Sequence, residues 1–290
     1  MMTILELLNW STDYLKDHRI ENPRLNAELL LARSLELTRE ELYVHFHDSL
    51  KGKEEETLEG LVHRRSTGEP LQYILGQQAF WSSDFKVDPR ALIPRPETEI
   101  LVEQAISIFS QRHFEGPPFL LEIGTGSGAI AISLAKEVKS SFIIATDISR
   151  EALLLAKENA KREGVLGQIE WVNGNLFDPF CLLKGRGFFD VILSNPPYIS
   201  SPEIERLTKE VKDYEPIVAL DGGEDGLKFF RNILSQAPFY LKKDGWLLFE
   251  VGQGQSSMVS KLIEEETHFL KPECVTDLSG IERVVKTQKS

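Results

Sequence analysis

Apolar residues recur at two different periods along the chain, and the change between them divides it. Up to about residue 75 the spacing is helical. Ile4, Leu7, Leu8, Tyr14 and Leu15 share one face. Asn22-Pro23 reads as an N-cap followed by proline at the first helical position. Leu25, Leu29, Ala32 and Leu35 carry that second helix to about Glu36. Thr38 and Glu41 have capping-box spacing for a short third helix. A fourth is predicted from about Lys53 to Thr67, with Leu58, Leu61 and Val62 on one face and Gly68 as its stop. Four such helices predict a small bundle. Gly68 to Arg95 then reads as a connection. Phe80 to Val87 has strand character, and Pro89, Pro94 and Pro96 prevent a helix from running through.

From about residue 118 strands alternate with helices. Strands are predicted at 119–123, 142–146, 169–172, 189–193 and 246–251, with two more near Cys274–Val275 and Ile281–Val285. Helices are predicted at 128–138, 150–162, 226–241 and 255–265. Such alternation implies an α/β fold, a doubly wound sheet with helices on both faces. The expected division is a helical bundle over 1–78, a connecting hairpin over 79–96 and the sheet domain over 97–290.

Composition narrows the class. Apolar residues make up 41% and charged residues 27% of the 290, enough for a buried core and unlike a disordered chain. No apolar run approaches the roughly 18 residues that span a bilayer. Met1-Met2-Thr3-Ile4-Leu5-Glu6 has no basic stretch and meets an acid at once, so neither a secretory signal nor a transit peptide is read there. Cys181 and Cys274 cannot build a disulfide framework or an all-cysteine zinc site, and they fit a reducing cytoplasm. The net charge is −12, with −5 over residues 1–90 and −7 beyond. Neither part is basic, which disfavours stable binding to bare nucleic acid and fits a basic protein partner.

Two turns carry chemistry. Glu122-Ile123-Gly124-Thr125-Gly126-Ser127-Gly128 lies between a predicted strand and helix, where glycines allow a tight turn and close approach of a ligand to the backbone. The glycines alternate, unlike the G-x-G-x-x-G of dinucleotide sites. Glu122, just before them, suits an amino group better than a pyrophosphate. Asp147 ends the next strand, where an acid can hold both hydroxyls of a ribose. Together they point to an adenosine with an amino-acid tail, S-adenosylmethionine. Asn195-Pro196-Pro197-Tyr198 follows a later strand, and strand C-termini face the ligand crevice in such sheets. The Asn195 side-chain oxygen and the Pro196 carbonyl can both accept from one NH2 group, a clamp for a planar amide or base amine. Tyr198 could pack on that group.

Taken with further segments, these turns resemble a class I methyltransferase of the PrmC/HemK family, the glutamine methyltransferases of peptide chain release factors. The likeness runs through nearly the whole chain. It includes Arg64-Arg65, Gly68-Glu69-Pro70-Leu71-Gln72-Tyr73-Ile74, Phe80-Trp81, Leu92-Ile93-Pro94-Arg95-Pro96-Glu97-Thr98-Glu99, Glu215-Pro216 before Ala219-Leu220, and Gly280-Ile281-Glu282-Arg283-Val284. The resemblance implies a Rossmann-like, seven-stranded doubly wound sheet preceded by a small helical domain for substrate recognition. It implies S-adenosyl-L-methionine as cofactor, S-adenosyl-L-homocysteine as product, and class I release factors as protein substrate. Methyl transfer would go to the side-chain amide of the glutamine in their Gly-Gly-Gln motif, by in-line displacement at the sulfonium methyl.

By the same resemblance, Glu122, Gly124, Thr125, Gly126, Ser127 and Gly128 would line the methionine part of the cofactor. Asp147 would hold the ribose and Asn175-Leu176 would flank the adenine. Asn195, Pro196, Pro197 and Tyr198 would grip the glutamine, with Asn195, Pro196 and Tyr198 catalytic and Asn195 also near the cofactor. Asn175 stands where the family often has Asp, a change expected to alter cofactor affinity modestly. Two rivals keep the turns but change the function. An adenine-N6 methyltransferase would want a basic groove, and a non-catalytic S-adenosylmethionine-binding protein would need no clamp.

Three other features are read blandly. His45-Phe46-His47 has no third ligand nearby, so no metal is expected. Glu54-Glu55-Glu56 suits a solvated first helical turn. Asp221-Gly222-Gly223-Glu224-Asp225-Gly226 lacks the spaced ligands of an EF-hand and reads as a flexible loop near the substrate mouth.

Overall fold

The computed structural model describes residues 2–50, 52–112, 114 and 116–290, and divides the chain into two units. The first holds Met1–Gln77 together with Thr208–Tyr214, and the second holds Gln78–Leu207 and Glu215–Ser290.

The first unit is built from α1 (Ile4–Asp17), α2 (Pro23–Leu35), α3 (Arg39–Val44), α4 (Gly52–Ser66) and α5 (Leu71–Leu75). Capping boxes start α1, through Thr3 and Glu6, and α3, through Thr38 and Glu41. Leu7, Leu8, Leu15, Leu30, Leu31, Leu42, Leu58 and Val62 close its core. Two details of α2 differ from the sequence reading. Asn22 is left-handed and makes no side-chain cap; the Asn26 amide donates back to the Glu21 and Asn22 carbonyls instead. The buried stripe runs through Ala27, Leu30 and Leu31, while Leu25 is exposed. A run of three leucines offers two helical faces, and polar contacts choose between them. Buried Glu28 gathers Arg24, Arg39 and Tyr43, and Asn26 accepts from the buried Arg65 guanidinium at 2.7 Å. Arg65 also binds Glu69 O and Glu210, so the 208–214 segment joins this unit by an ion pair.

Starting at the last residue of the first unit, β1 (Gln77–Phe80) pairs with β2 (Ser83–Lys86) of the second in a hairpin turning at Trp81, whose φ is 53°. Of the segment read as a connection, residues 68–77 thus belong to the first unit, with α5, and the rest belongs to the sheet unit. Phe80 and Phe85 meet edge-to-face at 5.9 Å in its core. Helix α6 (Glu99–Gln111) was absent from the sequence reading, although Leu101, Val102, Ala105 and Ile108 are its buried face. The sheet comprises β3 (Phe119–Ile123), β4 (Phe142–Asp147), β5 (Ile169–Asn173), β6 (Phe189–Ser194), β7 (Leu241–Glu250), β8 (Glu273–Thr276) and β9 (Glu282–Gln288), in the order β5-β4-β3-β6-β7-β9-β8. Five strands are parallel and β9 is antiparallel to both its neighbours. Helices α7 (Ala129–Glu137) and α8 (Arg150–Arg162) follow β3 and β4. The helix expected over 226–241 is shorter, Lys228–Leu234. A 3-10 turn at Ala237–Phe239 carries Pro238, which has no N–H to continue an α-helix, and β7 begins at Leu241.

The strand order reverses between β3 and β6, the switch point where crossovers leave to opposite sides and a crevice opens at the strand C-termini. The two chemistry-bearing turns follow those two strands.

Candidate active site

Each turn is shaped by its own strand end. After β3, Gly124 N and Thr125 N both donate to the Thr146 carbonyl at 2.9 Å, folding the chain back over β4. Gly124, Gly126 and Gly128 all have positive φ. At Gly128 a Cβ would meet Ile132 at 2.9 Å and Ala156 at 3.0 Å, so only glycine lets α7 start here. Asn159, buried on α8, clips the turn to the hairpin: its amide donates to the Ser127 and Lys86 carbonyls and its oxygen accepts from Lys86 N.

After β6, Ser194 donates to the Ile123 carbonyl at 2.7 Å and pins the two strand ends together. The turns then approach closely, with a Cβ on Gly124 falling 3.9 Å from the Asn195 backbone oxygen. Asn195 Nδ2 donates to Thr98 Oγ1 at 3.2 Å, which leaves Asn195 Oδ1 as an acceptor.

Both turns line one cavity of about 1140 Å³, its mouth included. Gly124, Thr125, Gly126, Ser127, Asp147, Asn175, Leu176, Asn195, Pro196 and Pro197 all face it. Asp147 Oδ2 accepts from Gly126 N and Oδ1 from Ser149 N, each at 2.8 Å, and burial raises its pKa. Leu176 is held at φ 49°, an uncommon conformation for a side-chain-bearing residue. The cavity wall also includes Ala91 to Arg95 and Thr98 from the segment after the hairpin, and Pro216, Val218, Phe229 and Ile233.

Three expected site residues stand elsewhere. Gly128 is outside the cavity lining, where it sets the start of α7. Glu122 is wholly buried behind the glycine turn rather than on the wall. Its Oε2 accepts from Thr125 Oγ1 at 2.7 Å and Ala131 N at 3.1 Å, and its Oε1 has no partner among the described residues. Burial pushes its pKa up to about 7, against the pull of those two donors. Tyr198 also leaves the cavity. It lines a separate cleft with Gly252, Gln255 and Met258, and its carbonyl accepts from Gln255 Nε2. Burial raises its phenol to about 12.

Several positions were not picked out individually from the sequence. Glu215, buried, accepts from Ile93 N at 3.1 Å and Arg95 Nη2 at 2.5 Å, fastening one part of the cavity wall to another. Glu215 and Thr98 fall in segments that carried the resemblance. Asn159 and Glu250 had no such signal. The 221–226 loop is tied down: Asp221 accepts from Ser201 and Gly223, and Gly222 packs against Pro197 and Tyr198. His45 pairs with Asp48 at 2.7 Å, and no group of three His, Cys, Asp or Glu among the described residues could hold a metal ion. No helix among them is long and apolar enough to cross a membrane.

Known proteins carry the same two parts. Residues 6–76 match the model of the PrmC N-terminal domain, and residues 120–214 match that of a methyltransferase domain. A release factor glutamine methyltransferase of Geobacter sulfurreducens is 43% identical over 98% of this chain and 95% of its own length. That of Bacillus subtilis is 37% identical over 98% and 97%. The chain belongs to the release factor glutamine methyltransferase family. A similar relative from Fusobacterium nucleatum is 40% identical over 99% of this chain and 79% of its own. Solved structures agree on the fold. A methyltransferase from Pyrococcus furiosus superposes with a TM-score of 0.52 at 18% identity, covering 73% of this chain and 91% of its own. The hMettl16 catalytic domain gives 0.56 at 14%, covering 78% and 81%. The enzyme is therefore a class I methyltransferase in its sheet domain, with the family's N-terminal domain ahead of it.

Proposed function

We propose that this enzyme transfers a methyl group from S-adenosylmethionine to the side-chain amide nitrogen of the glutamine in the Gly-Gly-Gln motif of class I release factors. The observation that carries the reading is the orientation of Asn195. Its NH2 is committed to Thr98, so its oxygen is the end left to accept from a substrate amide, on the wall shared with the glycine turn.

The cavity fits the cofactor. Asp147 holds one backbone N–H on each oxygen and keeps lone pairs for two ribose hydroxyls. Asn175 and Leu176 suit the adenine, and the Gly124–Ser127 turn suits the amino-acid tail. Glu122, buried behind that turn, braces it by accepting from Thr125 Oγ1 and Ala131 N. When bound, S-adenosylmethionine supplies an electrophilic methyl group on a sulfonium.

The protein's part is positioning and electrostatics. A glutamine amide nitrogen is a poor nucleophile because its lone pair is delocalised. Asn195 Oδ1 and the Pro196 carbonyl accept its two N–H groups, fixing the nitrogen's direction. As positive charge develops there, both bonds strengthen, so they stabilise the transition state more than the ground state. Pro196 and Pro197 stiffen the backbone that carries these acceptors.

The test uses methyl-labelled S-adenosylmethionine with release factor, DNA and RNA in separate reactions, followed by peptide mass spectrometry. Label on the Gly-Gly-Gln glutamine is the expected result. Label on nucleic acid alone would overturn the substrate assignment.

A further inference from the structure

Behind the Asn195 turn sits a carboxylate for which the chemistry above has no role. Glu250 ends β7, one residue beyond the partner of Ser194 in the β6–β7 register, and so lies beside Asn195. It is buried, and its Oε2 has no partner among the described residues. Thr98 and Asn195 are the polar side chains whose proximity lowers the pKa of its carboxylate. Asn195 Nδ2 in turn donates to Thr98 Oγ1. A hydroxyl that accepts from Asn195 keeps its own hydrogen to give away, and Glu250 is the acceptor beside it.

A carboxamide can turn either its oxygen or its NH2 outward, and the two orientations have nearly the same shape. The shape of the side chain therefore does not explain why the orientation seen at Asn195 is kept. A carboxylate at the inner end does, because it can only accept. Thr98 must then donate inward, and Asn195 must donate to Thr98. We infer that Glu250 is a positioning residue that, through Thr98, fixes which end of the Asn195 carboxamide faces the pocket. The inference rests on the reading of Asn195 as the clamp on the substrate nitrogen.

Protonation of Glu250 would make its end of the chain a donor as well as an acceptor and release that constraint. Burial, aided by Glu97, raises its pKa to about 7, while Arg283, Thr98 and Asn195 oppose the rise. Glu97 and Arg283 lie 3.7 Å from each other, and the Tyr198 phenol also feels the Glu250 charge.

Glu250→Gln tests this with little change of shape. Its amide can donate to Thr98 and so permits the reversed chain. We expect kcat with release factor to fall roughly 10- to 100-fold, the cost of misplacing a reacting partner, with KM and the calorimetric Kd for S-adenosylmethionine within about threefold of wild type. In ¹⁵N-labelled protein without substrate, the Asn195 side-chain NH2 resonances should move with pH near 7 in the wild type and stay still in Glu250→Gln. Unchanged kcat in Glu250→Gln, or a parallel loss of cofactor affinity, would overturn the inference, as would Asn195 resonances that ignore pH in the wild type. Should Glu250→Gln not fold, Thr98→Val must show the same loss of kcat, and Thr98→Ser, which keeps the hydroxyl, must recover most of it. Failure of either overturns the relay. Wild-type turnover is the control. Its absence sinks the substrate reading, whereas an active wild type with an equally active Glu250→Gln sinks the role of Glu250 alone.

Discussion

The glycine turn and the Asn195 turn are each backed by a buried glutamate, Glu122 for the first and Glu250 for the second. The two have much in common. Burial raises both to about 7, and both leave one oxygen without a hydrogen-bond partner among the described residues. They differ in where their partners come from. Glu122 is held by Thr125 and Ala131, a few residues along the same strand-turn-helix. Glu250 meets Thr98 and Asn195, which lie far away in the chain and are brought together by the sheet and by the turn at Pro96–Thr98. One turn is a local motif with its own support. The other is a local motif whose support is assembled by the fold. The first should therefore fail mainly in binding, the second mainly in turnover.

The sharpest way to break that contrast is Asn195→Ala. It removes the acceptor aimed at the substrate and leaves the glycine turn untouched. We expect kcat to fall roughly 10²- to 10³-fold, as for loss of one preorganised electrostatic partner, while calorimetry finds cofactor affinity little changed. Near-normal turnover would show that the two turns are not divided by role.

Next come the glutamates themselves. Each has a folded-state pKa raised from 4.5 to about 7. The folded protein holds these protons more tightly than the unfolded chain, so the stabilisation is full below about 4.5 and lost as pH rises through 7. Linkage puts the loss at up to about 3 kcal/mol per group. Glu122→Gln and Glu250→Gln, compared with wild type by urea unfolding without cofactor at pH 5 and pH 8, should both gain relative stability at the higher pH. If the comparison holds, the two variants lose different functions while gaining similar stability: affinity in the first, turnover in the second. A variant whose relative stability is the same at both pH values would show that its glutamate is not held protonated by the fold.

Asp147→Ala probes the binding side by itself. Hydrogen bonds to a charged group are worth about 1.5–3 kcal/mol, so the cofactor Kd should rise by roughly 10- to 150-fold. Part of that loss comes from freeing Gly126 N and Ser149 N, which the carboxylate holds in place. An unchanged Kd by titration calorimetry would remove Asp147 from the site.

The same local-versus-assembled distinction explains what could be read from the sequence. The alternating strands, the capping boxes at Thr3 and Thr38, and the two turns are short-range patterns, and the spacing of residues carries them. Glu250 could not be found that way, since it reads as the end of an apolar strand and its role depends on a register with β6. Gly128 and Tyr198 show the limit inside a motif: adjacent residues of one tetrad or turn point into different spaces. The 79–96 segment, expected as a connecting hairpin, shows the same limit. Phe80 and Phe85 look like linker hydrophobics in the sequence, yet they are part of the sheet unit's core. Helix α6 is legible in the spacing of Leu101, Ala105 and Ile108, just past the prolines that end the connection.

Ser194→Ala is the gentlest test, because it touches the joint between the turns and neither turn's chemistry. The hydroxyl is buried and donates to the Ile123 carbonyl at 2.7 Å, linking the last residue of β6 to the last of β3. Alanine keeps the backbone pairing of the strands but leaves that carbonyl without the bond, at a cost of about 1 kcal/mol in stability. Denaturant unfolding should show a lower midpoint with an unchanged slope, the sign of a weakened native state rather than a different one. Because the link is shared, any loosening should reach both turns. Cofactor Kd and kcat should each change by less than about threefold, and by similar factors. A tenfold change in one with none in the other would mean that the strand ends move independently. The division of labour between the turns would then depend on this single bond rather than on their separate supports.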